Sequence, residues 1–116
     1  MAEITWNEDQ PIYRQIVDAL IKGILEGTYR EGELLPSVRQ LATDFGVSTI
    51  TTTKVFQELS EEGVTEKRRG IGFEVRKGIR KALLQRERRR FLEQEWPELR
   101  ARLNRLDISI EDLLRQ

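Results

Sequence analysis

The chain has 116 residues, of which 20 are Lys or Arg and 20 are Asp or Glu, so its formal net charge is zero, and it contains neither Cys nor His. That length holds one small domain and a modest appendage, and the missing residue types exclude disulfides, thiolate chemistry, His or Cys metal sites and any Ser-His triad. The charge is unevenly spread: residues 1–76 carry 9 basic and 13 acidic side chains, a net of −4, while residues 77–116 carry 11 and 7, a net of +4.

Met1 to Gln10 is polar and acidic, unlike a signal peptide, and no apolar run approaches the roughly 20 residues of a membrane span. A cytoplasmic location and no membrane partner are expected. Ile4 to Trp6 is a brief β-prone start. Pro11 then stands where a helix tolerates proline, at its first turn. Ile12, Ile16, Leu20 and Ile24 recur every four residues, flanked by Tyr13, Val17 and Ile21. This predicts an amphipathic helix of about 16 residues, closed by Gly27. Glu31-Gly32-Glu33 reads as a turn and Leu34-Leu35 as a short extended piece before Pro36.

Ser37 with Gln40 predicts a capping box, opening a short helix with Leu41, Ala42 and Phe45 on its buried side. Gly46 suits a left-handed turn. Ser48 caps a longer helix whose buried face is Thr52, Val55, Phe56 and Leu59, and Gly63 stops it. Two such helices joined through Phe45-Gly46-Val47-Ser48 form a helix-turn-helix. Val64 to Lys67 and Gly72 to Val75 then read as strands around Arg68-Arg69-Gly70-Ile71, a hairpin with two arginines at its tip. A hairpin in that place is a wing.

From Ile79 the sequence is charged and helix-favouring. Leu84, Phe91, Leu92, Trp96, Leu99, Leu103 and Leu106 fall near one stripe, and Pro97 predicts a kink or break because Trp96 should resist helical geometry. Ser109-Ile110-Glu111-Asp112 is a second capping box, starting a last short helix. The fold class expected is mainly α with a small β-hairpin: a winged helix-turn-helix over 1–76, then a short C-terminal helical dimerisation segment over 77–116.

Residues 11–75 resemble the winged helix-turn-helix of GntR-type bacterial transcriptional regulators. The resemblance is carried by Pro11-Ile12-Tyr13-Arg14-Gln15-Ile16, Gly27 to Gly32, Leu35-Pro36-Ser37-Val38-Arg39-Gln40-Leu41-Ala42, Phe45-Gly46-Val47-Ser48-Thr49-Ile50-Thr51-Thr52, Phe56-Gln57-Glu58-Leu59, Glu62-Gly63 and Arg68-Arg69-Gly70. The tail, closing in Ile108-Ser109-Ile110-Glu111-Asp112-Leu113-Leu114, is similar to that of the YtrA subfamily. The resemblance implies an operator-binding homodimer, commonly a repressor. The chain departs from the pattern at Ile71, frequently basic in the family, at Phe73-Glu74, at Thr52 and at Val64-Thr65.

In a helix-turn-helix the second helix enters the major groove. With its core face fixed, Thr49, Ile50, Thr53 and Lys54 must point away, where hydroxyls bond bases or phosphates and methyl groups pack on thymine. Arg39 sits in the first turn of the preceding helix, where its charge opposes the dipole; it suits a phosphate or guanine contact, or an ion pair with Asp44 or Glu58. Arg68, Arg69 and Gly70 suit the minor groove or the backbone. The expected DNA-binding set is Arg39, Ser48, Thr49, Ile50, Thr51, Thr53, Lys54, Arg68, Arg69 and Gly70, with the recognition helix over 48–62 and the wing over 64–75. The tail stripe Leu84, Phe91, Leu92, Trp96, Leu99, Leu103 and Leu106 is the expected dimerisation surface. Arg86 with Arg88, Arg89 and Arg90 reads as a solvated helix face, the alternative being flanking phosphate contact. No carboxylate stands in a catalytic or metal motif, and Gly70-Ile71-Gly72 lacks the rest of a dinucleotide fingerprint, so no enzyme, cofactor or metal is expected. The rival is a winged helix used for protein contact alone. The operator and any small-molecule effector are not given by the sequence.

Overall fold

The computed structural model describes residues 6–116. Its elements are α1 (Ile12–Glu26), α2 (Val38–Phe45), α3 (Thr49–Glu61), β1 (Thr65–Arg68), β2 (Gly72–Val75), α4 (Ile79–Arg90), a π-helical turn (Phe91–Glu95), α5 (Trp96–Arg105) and α6 (Ile110–Leu114). The fold is mainly α with one antiparallel hairpin. It divides into two compact units, one ending at Leu83 and the other Leu84–Gln116.

The first unit is a winged helix-turn-helix. Pro11 precedes α1, whose first turn needs no donor from it. The predicted stripe is the buried one: Ile16, Val17, Leu20, Ile21 and Ile24 join Leu41, Phe45, Val55, Phe56, Leu59, Val64 and Val75 in one core. Ile12 stays largely exposed. Leu83, from the second turn of α4, is also in that core, with Ile79 packed against it. Such side chains each contribute about 1.5–3 kcal/mol when buried, and together they hold three short helices that would not persist alone.

Gly46 joins α2 to α3 with φ +67, a left-handed conformation that side chains resist. Thr52 takes a core position with a hydroxyl because that hydroxyl has work there: Oγ1 donates to the Val38 carbonyl at 2.9 Å, tying α3 to the start of α2. Ser37 caps α2 by accepting from the Gln40 amide at 3.1 Å. The reciprocal half of the expected capping box does not form. The Gln40 side chain donates instead to Asp44 Oδ1 at 2.7 Å, a charged acceptor one turn on.

Ile4 and Thr5 of the expected β-prone start lie outside the described residues. Trp6 is not in a strand; its ring tilts against Phe45 with centroids 6.5 Å apart. The segment that follows is fastened by Gln15, a buried polar residue inside the apolar stripe. Its side-chain oxygen accepts from the Asn7 amide at 2.8 Å, and its nitrogen donates to the Asn7 and Gln10 carbonyls at 2.6 and 2.9 Å.

The hairpin pairs Thr65 with Val75, Glu66 with Glu74, Lys67 with Phe73 and Arg68 with Gly72. Arg68 is therefore the last strand residue, a correction to its expected place at the tip, and the loop is Arg69-Gly70-Ile71. Leu34 adds a third edge: the Leu35 amide donates to the Phe73 carbonyl and the Val75 amide to the Glu33 carbonyl, both at 2.9 Å. Phe73 stacks on Phe56 with centroids 4.3 Å apart, seating the hairpin on α3.

Within the second unit the helix does not break at the proline. Trp96 is helical at φ −62, ψ −44, and its amide donates to the Phe91 carbonyl five residues back. The widened turn gives Pro97, which has no N–H and crowds the carbonyl four residues before it, the room that a tighter turn denies. Ser109 and Asp112 form the expected capping box of α6. No helix among the described residues is long and apolar enough to cross a membrane.

Candidate nucleic-acid interface

The residues expected to touch DNA come from three places in the first unit: the start of α2, the outer face of α3 and the hairpin loop. On α3 the buried face is Thr52, Val55, Phe56 and Leu59, as its spacing predicts. Thr49, Ile50, Thr53 and Lys54 are exposed on the opposite side and, with Gln57, wall one shallow hollow. Ile50 is 83% exposed, an apolar side chain left in water at the N-terminal end of the helix.

Not every hydroxyl there is free to read a base. Ser48 Oγ accepts from the Thr51 amide at 3.3 Å and lies 3.2 Å from Thr51 Oγ1, so this pair caps the helix. Lys54 is partly turned aside, its ammonium 4.1 Å from the centroid of the Tyr13 ring. That contact binds α3 to α1 and draws the charge back from the Ile50 end.

Arg39 is exposed and makes no ion pair among the described residues. Both partners considered for it are engaged elsewhere. Asp44 accepts from Gln40, and Glu58 lies 3.4 Å from Arg14. Arg14 donates to Glu62 at 2.6 Å, and that bond leads the influences that raise its pKa further.

The two wing arginines differ. Arg68 donates through Nε to Glu74 Oε1 at 2.9 Å, and this carboxylate, with Glu66 behind it, raises its pKa. Arg69 stands in the loop, exposed and without an ion pair among the described residues. Beside it Gly70 has φ +73, which a three-residue hairpin loop requires. The sequence alone does not single out Glu74 as Arg68's partner; the register that places them together does. Gln57 likewise escapes a motif-based reading, although its spacing from Ile50 is visible.

On the tail, Leu84, Phe91, Leu92, Leu99 and Leu106 are exposed and Trp96 is half-buried. Leu103 differs, being only 8% exposed and so already covered by its own chain. Ile110, Leu113 and Leu114 of α6 add exposed apolar surface that the stripe counted on one helix does not include. Of the basic run, Arg90 lies 3.8 Å from Glu95 and Arg86 lies 3.4 Å from Glu87.

Residues 12–75 match the family described as bacterial regulatory proteins of the gntR family. Over 85 residues the chain is 34% identical to the HTH-type transcriptional repressor YtrA of Bacillus subtilis, covering 73% of this chain and 65% of that protein. It is 36% identical over 67 residues to the mannosyl-D-glycerate transport/metabolism system repressor MngR of Escherichia coli, covering 58% of this chain and 28% of that one. A GntR family transcriptional regulator from Listeria monocytogenes superposes over 95% of both chains with a TM-score of 0.73 at 28% identity. YtrA from Sulfolobus acidocaldarius, a GntR-family transcription factor, does so over 98% of this chain and 90% of its own with a TM-score of 0.60 at 25% identity. These relatives are regulators rather than enzymes, and the chain spans less than two thirds of the length of either curated one. By the match over its winged helix-turn-helix, this chain belongs to the GntR family of bacterial regulatory proteins.

Proposed function

We propose that the chain is a transcription repressor that binds a two-fold-related DNA operator as a homodimer. Residues 1–76 form the DNA-binding module, supported by the first turns of α4, and residues 77–116 the dimerisation segment. The observation that carries the reading is Ile50: opposite the buried face of α3 and 83% exposed, it has no structural use in an isolated chain. In a major groove it covers a thymine methyl.

Around it, Thr49 and Thr53 supply hydroxyls to bases and backbone, Lys54 a nearby charge, and Ser48 and Thr51 the capped end of the helix that approaches the phosphates. Arg39 and Arg69, free of ion pairs among the described residues, neutralise phosphates on either side. Gly70 lets the wing backbone come close, and Arg68 contributes when DNA competes with Glu74 for it. A net-acidic front is compatible with this because Arg39 and Arg69 place their charge locally, at two of the three contact points. Leu84, Phe91, Leu92, Trp96, Leu99 and Leu106 face the second copy, with Leu103 packing behind them. Two-fold symmetry in the protein demands it in the site, with half-sites about one helical turn, or a multiple of it, apart.

A mobility-shift titration with DNA from upstream of the chain's own gene tests the reading, an unrelated duplex of equal length serving as reference. Tighter binding of the upstream DNA, with a dimer on each site, is expected. Equal affinity for both would reject sequence-specific regulation.

A further inference from the structure

Helical spacing extends the line that begins at Ile50. Lys54, Gln57 and Glu61 follow it by four, seven and eleven residues and share its side of α3. All four are exposed. They are not equivalent toward DNA. Lys54 is drawn back over the Tyr13 ring. Glu61 is a carboxylate, which a groove walled by phosphates repels, so the useful surface of the helix ends before it. Gln57 stands between them, and its side-chain amide has no hydrogen-bond partner among the described residues. It walls the same hollow as Thr49, Ile50 and Thr53.

A primary amide with both its donor and its acceptor free, on a rigid helix, matches one base edge in particular. Adenine presents an N6 donor beside an N7 acceptor in the major groove, and Gln or Asn meets both at once. We infer that Gln57 is a specificity-determining residue that reads an adenine in each half-site. Seven residues at 1.5 Å rise place it about 10.5 Å along the helix from Ile50. At about 3.4 Å per base step, that adenine lies about three steps from the thymine whose methyl Ile50 covers. This rests on the outer face of α3 being the groove-facing one, as proposed above.

The test uses the full chain and duplexes selected from a randomised pool, first with the wild type and then with Gln57→Ala, Gln57→Glu and Ile50→Ala, each checked for unchanged thermal unfolding. Wild-type sites should share an A·T pair that is unconstrained in the Gln57→Ala selection, with affinity for the best wild-type site falling on the order of tenfold and affinity for unrelated duplex unchanged. Gln57→Glu, which can only accept, should move the preference at that pair to C·G. Identical selections for wild type and Gln57→Ala would overturn the inference, and so would a loss equal on all sequences, the mark of a backbone contact. If Ile50→Ala relaxes the selection while Gln57→Ala does not, this inference fails and the groove-facing reading survives. If the wild type selects no sequence at all, both fall.

Discussion

Arg68 and Glu74 lie diagonally across the hairpin ladder from one another, two residues off a direct pair and so on the same face, with Nε of the first 2.9 Å from Oε1 of the second. The bond occupies one of the two wing arginines in the free protein and leaves Arg69 as the available one of that pair. Arg69→Ala should therefore weaken binding to all DNA about equally and lower the salt slope by about 1. Arg68→Ala should do less, because the phosphate gains an arginine only by losing it from Glu74. Glu74→Gln should raise non-specific affinity and steepen the salt dependence. Equal slopes for the two arginine variants would show that the Arg68–Glu74 bond does not restrain binding.

Ile50→Ala should leave thermal unfolding almost unchanged, since so exposed a side chain takes little from the core. It should cost on the order of 1 kcal/mol on the preferred operator and little on unrelated DNA. Replacing the contacted thymine by uracil removes the same methyl contact, so the two losses should not add. A fall of several degrees in unfolding temperature with unchanged operator preference would instead place Ile50 inside the helix-turn-helix packing.

Gly23 lies inside the last turn of α1, and glycine within a helix weakens it by about 0.5–1 kcal/mol relative to Ala. Its place is explained by Tyr29: a Cβ there would sit 2.6 Å from two carbons of the Tyr29 ring. Gly23→Ala should destabilise by about 1–3 kcal/mol, as overpacking does, despite the better helix former. In a Tyr29→Ala background the same change should be neutral or stabilising. Denaturant midpoints of the four proteins check this, and additive effects would mean that the ring does not limit the site.

Glu31 accepts the Arg80 amide at 2.8 Å, so a carboxylate from the loop after α1 caps α4. The backbone amides of Arg80 and Gly78, then the Arg80 charge, hold its pKa below the ordinary carboxylate value. A group lowered on folding stabilises most above its unfolded pKa, and that contribution disappears as pH falls through the folded one. The stability difference between wild type and Glu31→Gln should thus be constant at pH values well above the unfolded Glu pKa of about 4.3 and shrink as pH falls through and below it. Urea midpoints across that range measure it; a difference independent of pH would show that the charge contributes nothing.

For the tail, Leu92→Asp with Leu99→Asp should convert a sedimenting dimer to monomer while leaving the winged unit's unfolding cooperative, because both side chains are exposed in the chain alone. Persistence of the dimer at micromolar concentration would move the interface elsewhere.

What the sequence discloses about this fold follows how local each determinant is. Pro11, Gly27, Ser48 and Ser109 act within a turn of themselves, and the buried faces of α1 and α3 repeat at helical spacing, so these elements can be read directly. Gln15 appears as a polar interruption of its stripe because its partners, Asn7 and Gln10, bond through their backbone, which carries no signature of residue type. Gly23 reads as a defect until Tyr29 is folded against it. Pro97 announces a disturbance, but whether the backbone breaks or widens depends on a bond between Trp96 and Phe91 that no residue type specifies. The outer face of α3 is legible by elimination; the division of labour between Arg68 and Arg69 needs the strand register.

Leu83 gives the chain an unusual seam. The last side chain in the core of the winged unit is supplied by the helix that leads away from it, beyond the turn at residues 76–78 where a reader of the sequence would cut. A graft of this reading head onto another tail, joined in that turn, would leave a leucine-sized hole costing about 2–5 kcal/mol, as buried Leu→Ala changes do. The transplantable piece of this protein therefore ends in mid-helix, and whatever follows it must begin as a helix in the same phase.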